Sequence, residues 1–147
     1  VTEFQSMIEQ GEFLEHAEVF GNFYGTAKTH INEVLNSGND LVLEIDWQGA
    51  QQIRNKLSDT LSIFILPPSR NELAYRLKGR AQDDEQVIKN RMSAAIEEIS
   101  HYKEYDYLII NDIFEAALEN LENIIRANRL TLSRQSAQYN QLISELM

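Results

Sequence analysis

Glu12 to Thr26 reads EFLEHAEVFGNFYGT, and it is the most informative stretch of the chain because a strand-like alternation that contains a lone carboxylate leads into a glycine-bracketed aromatic segment. Side chains two apart on a strand share a face, so Glu15 is expected to lie among three apolar neighbours. Those neighbours are Phe13, Ala17 and Val19. A charge on an otherwise apolar face needs a partner. Glu15 is therefore the residue to explain.

The segment that follows, Gly21 to Thr26 (GNFYGT), is expected to reverse the chain and to bring two hydroxyls close to Glu15. These hydroxyls belong to Tyr24 and Thr26. A carboxylate accepts hydrogen bonds, whereas hydroxyls both donate and accept them. The group suits a flat polar ligand with N–H donors and a carbonyl, such as guanine, with a phosphate nearby. Alternation alone favours a simpler interpretation, an edge strand with Glu15 in water or paired to a surface cation.

Composition sets the outer bounds. The chain has 147 residues, 43% of them hydrophobic, which suits one domain with a core of its own. It has no cysteine, which excludes disulfides, cysteine-ligated zinc and thiol chemistry. The formal net charge of -10 argues against nucleic acid as a partner. No membrane-length apolar run and no signal peptide are visible, so we expect a cytoplasmic protein without a membrane partner.

Short apolar runs separated by helical stretches predict an α/β fold with parallel strands and helical crossovers. The expected strands are Leu41–Asp46, Leu61–Leu66 and Tyr107–Ile110, the first of them buried. Helical patterning is expected from Phe114 to Met147, with a break near Leu132. Ligands of such sheets gather at the carboxyl ends of the strands.

Two of these carboxyl ends are polar. Glu44 and Asp46 lie two apart and so on one face, where they repel unless a cation or a ligand lies between them. The alternative is that Asp46 caps the following helix, and the spacing leaves both open. Asn111 and Asp112 follow the third strand, and Asp112 is equally suited to capping the last helix.

The basic residues concentrate between Arg76 and Arg91, where the sequence RLKGRAQDDEQVIKNR holds three arginines and two lysines. This pattern predicts a helical hairpin with arginines on its inner surface. Guanidinium groups match phosphate oxygens and stay charged, which favours a phosphate ligand. The commoner fate of such a run is a solvated pair of surface helices.

The chain resembles the guanylate kinase family over nearly its whole length, in EFLEHA, GNFYGT, EIDWQG, RLKGR with a later arginine, and ND. The resemblance implies a P-loop nucleoside-monophosphate-kinase-like parallel sheet flanked by helices, with GMP-binding and helical lid subregions. The implied divisions are residues 1–29 for the remainder of the GMP-binding region, 30–70 for core, 71–99 for the lid, and 100–147 for core and C-terminal helices.

The resemblance also assigns roles. Glu15 and Thr26 would recognise guanine, Tyr24 the GMP phosphate, and Asp46 would serve the bound GMP. Glu44 stands where the family has aspartate, and it would contact Mg²⁺ through water. The catalytic arginines, which would close over the triphosphate, are Arg76, Arg80 and Arg91. Arg76 and Arg80 would also bind ATP, together with Asn111 beside the donor adenine.

The implied activity is transfer of a phosphoryl group from ATP, the donor, to GMP, giving ADP and GDP, with Mg²⁺ as cofactor. The resemblance leaves open whether the protein forms a homo-oligomer. No G-x-x-x-x-G-K-S/T occurs in the chain, so the N-terminal P-loop unit is expected to lie before Val1 and the chain alone to be inactive. A guanylate-kinase-like protein-binding module without catalysis is the alternative, and the retained Tyr24 and lid arginines argue against it. A related P-loop kinase with another small phosphate acceptor is disfavoured by the Glu15 to Thr26 pattern.

Overall fold

The structure, a computed structural model, describes residues 2–19, 21–79 and 85–147. It is a mixed α/β protein whose contacts divide it into two units. The first unit comprises Val1–Ser62 with Ile96–Glu104, and the second comprises Ile63–Ala95 with Tyr105–Met147. The finer division into GMP-binding, core and lid regions stays a prediction.

The first unit is built around a β-hairpin with helices before and after it. Its elements in chain order are α1 (Thr2–Glu9), β1 (Phe13–Val19), β2 (Asn22–Ala27), α2 (Lys28–Asn36) and α3 (Trp47–Lys56). The strands are antiparallel, with Glu15 opposite Thr26 and Ala17 opposite Tyr24. Gly21 has φ of 74° before β2, a conformation that glycine adopts without steric cost. The sequence predicted that all six residues of GNFYGT form the chain reversal. This is wrong, because five of them, Asn22 to Thr26, belong to strand β2.

The expected strand at 41–46 is also wrong as stated. Leu41, Leu43 and Ile45 are partly buried and pack on the core, while Val42 between them is 72% exposed. This alternation is that of an extended chain. A strand also needs a hydrogen-bonded neighbour, and the described residues provide none here, since their only pairings are two two-stranded sheets formed elsewhere.

The core of the first unit lies on the side of β1 that carries Leu14. Leu14, Ile31 and Ile53 are its buried members, so β1, α2 and α3 each contribute one residue. The pairing with β2 is irregular between Phe13 and Glu15, so Leu14 lies at a bulge, where it packs with Ile31 of α2 and Ile53 of α3. Both faces of β1 are covered, because Phe13, Glu15 and Ala17 are buried as well.

The second unit contains the parallel strand pair that the apolar runs predicted. Its elements are β3 (Ile63–Leu66), α4 (Arg70–Gly79), most of α5 (Glu85–Ser100), β4 (Tyr107–Ile110), α6 (Phe114–Arg129), α7 (Leu132–Gln138) and α8 (Asn140–Leu146). The register pairs Ile63 with Tyr107 and Leu66 with Ile110. Strand β4 has the predicted bounds, and β3 begins two residues later than expected. The C-terminal helices break before Leu132 as predicted, and again at Tyr139.

Candidate functional site

Glu15 is a buried carboxylate held by a hydroxyl. Its residue is 3% exposed, and it accepts a hydrogen bond from Thr26 Oγ1, directly across the hairpin. An ionised carboxylate in an apolar setting needs such a partner. The structure thus excludes the interpretation that leaves Glu15 in water, and it places Thr26 where the sequence predicted.

The other oxygen of Glu15 lies beside Gly49, at the start of α3. A Cβ at position 49 would come within 2.8 Å of Glu15 Oε2 and 3.2 Å of Ile45 Cβ. Real side chains do not make contacts as short as the first of these, so any side chain at position 49 would displace the Glu15 carboxylate. No role was predicted for Gly49 from the sequence, although Gly49 is the last residue of the EIDWQG motif.

Asp46 is the N-cap of α3. Its Oδ1 accepts from the backbone N–H of Gly49 at 2.9 Å, and its Oδ2 accepts from Gln48 Nε2 at 3.3 Å. This confirms the capping interpretation that the spacing left open. The cap also fixes the first turn of α3, and with it the position of Gly49 against Glu15.

An open pocket of about 350 Å³ lies between the hairpin and the 44–46 segment. Its lining includes five of the predicted site residues: Glu15, Tyr24, Thr26, Glu44 and Asp46. Tyr24 is 57% exposed and lies two residues from Thr26 on the same face of β2. The pocket therefore combines a buried acceptor, a hydroxyl beside it and an accessible phenol, with an acidic segment on its other side.

Besides Asp46, a second carboxylate accepts a hydrogen bond at the N-terminus of α3. This residue, Glu98, was not predicted from the sequence. Glu98 Oε1 accepts from the backbone N–H of Trp47 at 2.9 Å, and the Trp47 indole stacks on the His101 ring at a centroid distance of 3.7 Å. Burial raises the pKa of the Glu98 carboxyl, and the charge of Asp46 raises it further. The hydrogen bond from Trp47 opposes these effects in part.

This pKa shift predicts a pH-dependent stability. Because the folded-state pKa of Glu98 exceeds its unfolded value, its contribution to stability is fully present below the unfolded pKa and is lost as pH rises through the folded one. A Glu98→Gln variant keeps an acceptor for Trp47 and cannot ionise. We expect its free energy of unfolding to rise relative to the parent as pH increases above about 4, the ordinary range of a glutamate pKa.

Urea denaturation at several pH values measures that difference. Glu33→Gln is the matched control, because Glu33 is an exposed glutamate on α2 of the same unit and is not among the charges that act on Glu98; its difference from the parent should change with pH much less than that of Glu98→Gln. A Glu98→Gln difference that does not change with pH would contradict the assignment.

Arg76 and Arg91, two of the predicted lid arginines, belong to the second unit, and the structure brings Arg76 together with Asn111 there. Arg76 donates from Nε to Glu72 Oε1 at 2.7 Å and from Nη1 to the backbone oxygen of Asn111 at 2.9 Å. Arg91 lies on α5 and is partly buried, whereas Arg80 lies outside the described residues.

The alternative in which Asp112 caps the C-terminal helix is wrong for α6. The N-cap of α6 is Ile113, which has extended backbone geometry and makes no side-chain cap bond. Asn111 instead extends the strand pairing by one residue, because its N–H donates to the Leu66 oxygen at 2.7 Å.

Two absences hold for residues 2–19, 21–79 and 85–147, the part of the chain that the structure describes. No group of three or more histidine, aspartate or glutamate side chains there is arranged to hold a metal ion. Among the same residues, no helix combines the length and the apolarity that crossing a membrane would require.

Comparisons with known proteins agree on one family. The family model for guanylate kinase matches residues 1–128. Guanylate kinases of Salmonella typhimurium and of Escherichia coli K12 are each 59% identical over 145 residues, covering 99% of this chain and 70% of theirs. The crystal structure of guanylate kinase from Anaplasma phagocytophilum superposes with a TM-score of 0.77 at 37% identity, covering 90% of this chain and 64% of that one.

The mixed α/β fold and these matches place the chain among the nucleotide-binding kinases. More narrowly, it belongs to the guanylate kinase family. Guanylate kinases are ATP:GMP phosphotransferases, so the family is one of enzymes. The chain spans less than two thirds of the crystallised relative.

Proposed function

We propose that this chain serves an enzyme that transfers the terminal phosphoryl group of ATP to GMP, giving ADP and GDP. One observation carries the proposal: the buried carboxylate of Glu15, bonded to Thr26, faces a pocket that Tyr24 and Asp46 also line. The hydrogen-bond partner of this buried acid is a neutral hydroxyl, so the acid suits a ligand that brings its own N–H donors.

Guanine fits this arrangement and adenine does not. Guanine presents a ring N–H and an exocyclic amino group side by side, and both can donate to the Glu15 carboxylate. The Thr26 hydroxyl donates to Glu15, which leaves its oxygen lone pairs to accept from the base. Adenine presents a ring nitrogen lone pair at the matching position, and its repulsion from a carboxylate disfavours binding.

Tyr24 is proposed to bind the phosphate of GMP. Its phenol is exposed at the pocket and lies two residues from Thr26, so base and phosphate would be held by one strand. Asp46, with both oxygens engaged at the start of α3, would act on GMP mainly by fixing the pocket wall.

The lid arginines are proposed to neutralise the phosphoryl group as it moves. Phosphoryl transfer needs positioning and charge stabilisation more than covalent help from the protein. Arg76 is held by Glu72 and Asn111, and these bonds use two of the five N–H groups of its guanidinium. Arg80 and Arg91 are proposed to join it, with Asn111 beside the donor base.

Mg²⁺ fits the described residues only as an ion held mainly by nucleotide phosphates and water. Glu44 is an exposed carboxylate on the pocket wall, and the Asp46 oxygens beside it already accept hydrogen bonds. Mg²⁺ retains several waters and takes few protein carboxylates, which this donor set can satisfy. When bound, the ion would supply charge neutralisation at the phosphates, and Glu44 would hold one of its waters.

The 147 residues contain no G-x-x-x-x-G-K-S/T segment, the loop whose backbone N–H groups cradle phosphates. We therefore expect these residues alone to have no kinase activity.

The cytoplasmic location and the oligomeric state stay predictions.

A coupled assay of the full-length protein with MgATP and GMP tests the activity. Formation of ADP that requires GMP supports the enzyme. A protein-binding module would give no turnover and no nucleotide binding, and that result would overturn the proposal.

A further inference from the structure

Strand β1 has one edge paired with β2 and a second edge that no strand covers among the described residues. Backbone groups two residues apart in a strand point to the same edge. On the second edge lie the oxygen of Leu14 and both the N–H and the oxygen of His16, because all three bond to side chains of α3. This helix therefore supplies the hydrogen bonds that a neighbouring strand would have made.

Gln52 makes two of these bonds with one side chain. Its Oε1 accepts from His16 N at 3.2 Å, and its Nε2 donates to His16 O at 2.7 Å. A primary amide can accept and donate at once, as a peptide group does. Lys56 can only donate, and it makes a single bond to Leu14 O at 2.5 Å.

The residues on either side of Glu15 are thus tied to α3. The helix meets β1 at three successive positions: Lys56 at Leu14, Gly49 at Glu15 and Gln52 at His16. Positions 49, 52 and 56 share one helix face, since they are spaced by three and four residues. The hydrogen bonds of α3 to Leu14 and His16 hold the backbone on both sides of Glu15, and they thereby fix the position of the Glu15 carboxylate relative to Gly49 and Thr26.

We propose that Gln52 is a positioning residue for guanine recognition, acting on Glu15 through the backbone of His16. This inference rests on the proposed function, because guanine is the base that Glu15 is proposed to bind. Without the amide of Gln52, the strand edge at His16 loses its partner and the carboxylate is no longer fixed relative to α3. The loss affects base discrimination before it affects phosphoryl transfer.

The test compares Gln52→Met with Gln51→Met in the full-length protein. Methionine keeps the length of the side chain and removes both hydrogen bonds, and Gln51 is the exposed neighbour on the same helix. Each variant is assayed with GMP and with IMP, which lacks the 2-amino group that a well-placed carboxylate would accept from.

For Gln52→Met, we expect KM for GMP to rise about 10- to 100-fold, as a small misplacement of a binding group can cause, with KM for ATP nearly unchanged. The ratio of kcat/KM for GMP to kcat/KM for IMP should fall as well. Gln51→Met should match the parent. Hydrogen exchange at the His16 amide should accelerate in Gln52→Met only, which reports the lost bond independently of activity.

Gln52→Glu provides a second variant if Gln52→Met does not fold. It keeps the acceptor for His16 N–H and loses the donor, and it too should lower the preference for GMP over IMP. An unchanged preference in the folded variants, or equal losses for GMP and IMP, would overturn the inference and leave the proposed function standing. A parent protein that does not phosphorylate GMP would overturn both.

Discussion

Glu15→Gln is expected to lower kcat/KM for GMP by about 10²-fold or more, equivalent to about 3 kcal/mol of lost binding in the transition state. Glutamine has the same shape and can still accept from Thr26, so the hairpin should keep its fold. Its amide nitrogen, however, would present donors to the N–H groups of guanine. One favourable bond is lost, and two donors are left facing each other in a buried site.

Steady-state kinetics with GMP varied and then ATP varied measure this effect. KM for ATP should stay nearly unchanged, because Glu15 is proposed to contact only the acceptor. Glu18→Gln is the matched control, since Glu18 is an exposed carboxylate on the same strand. Equal losses in the two variants, or an unchanged Glu15→Gln enzyme, would contradict the role of Glu15.

Arg76→Lys is expected to lower kcat by about 10²- to 10³-fold, toward the lower end of what an arginine at a transferring phosphoryl group contributes. Lysine keeps the charge and loses the planar fork. It cannot bond Glu72 and the Asn111 oxygen while also presenting two parallel N–H groups to a phosphate. KM for GMP should change much less than kcat.

Arg126→Lys is the matched control for this variant. Arg126 also forms an i,i+4 pair, with Glu122 at 3.0 Å, and its side chain is 73% exposed on α6. Such an exposed pair contributes little to stability, so the control should keep the parent kcat. Full activity in Arg76→Lys would remove Arg76 from the proposed catalytic group.

The local part of the site was predictable from sequence. Alternation placed Glu15 beside apolar neighbours, but by itself it favoured an edge strand with Glu15 in water, which is wrong. The prediction that the segment after Gly21 brings the Thr26 hydroxyl close to Glu15 is confirmed. The prediction of a turn at residues 21–26 was wrong partly because Gly25 was interpreted as a turn residue, whereas it lies inside strand β2. A Cβ there would lie 2.8 Å from the Phe13 ring, so this glycine serves close packing within a strand, and glycine looks the same in sequence for either purpose.

Features that depend on distant partners were not predictable. Residues 41–46 have the alternation of a strand, but strand pairing depends on a neighbour that the segment itself does not specify. Asp112 has the residue type of a helix cap, yet the helix begins one position too late for it. Gln52 and Glu98 act on backbone groups 36 and 51 residues away, and bonds to backbone leave no mark in the partner's residue type.

The central claim is that the pocket beside Glu15 selects guanine. Isothermal titration of GMP and AMP into the full-length protein tests it most directly, without depending on the lid or on turnover. We predict that GMP binds at least about 10²-fold more tightly than AMP, because only guanine offers donors to the buried carboxylate. Equal affinities for the two nucleotides, or no binding of either, would contradict the account.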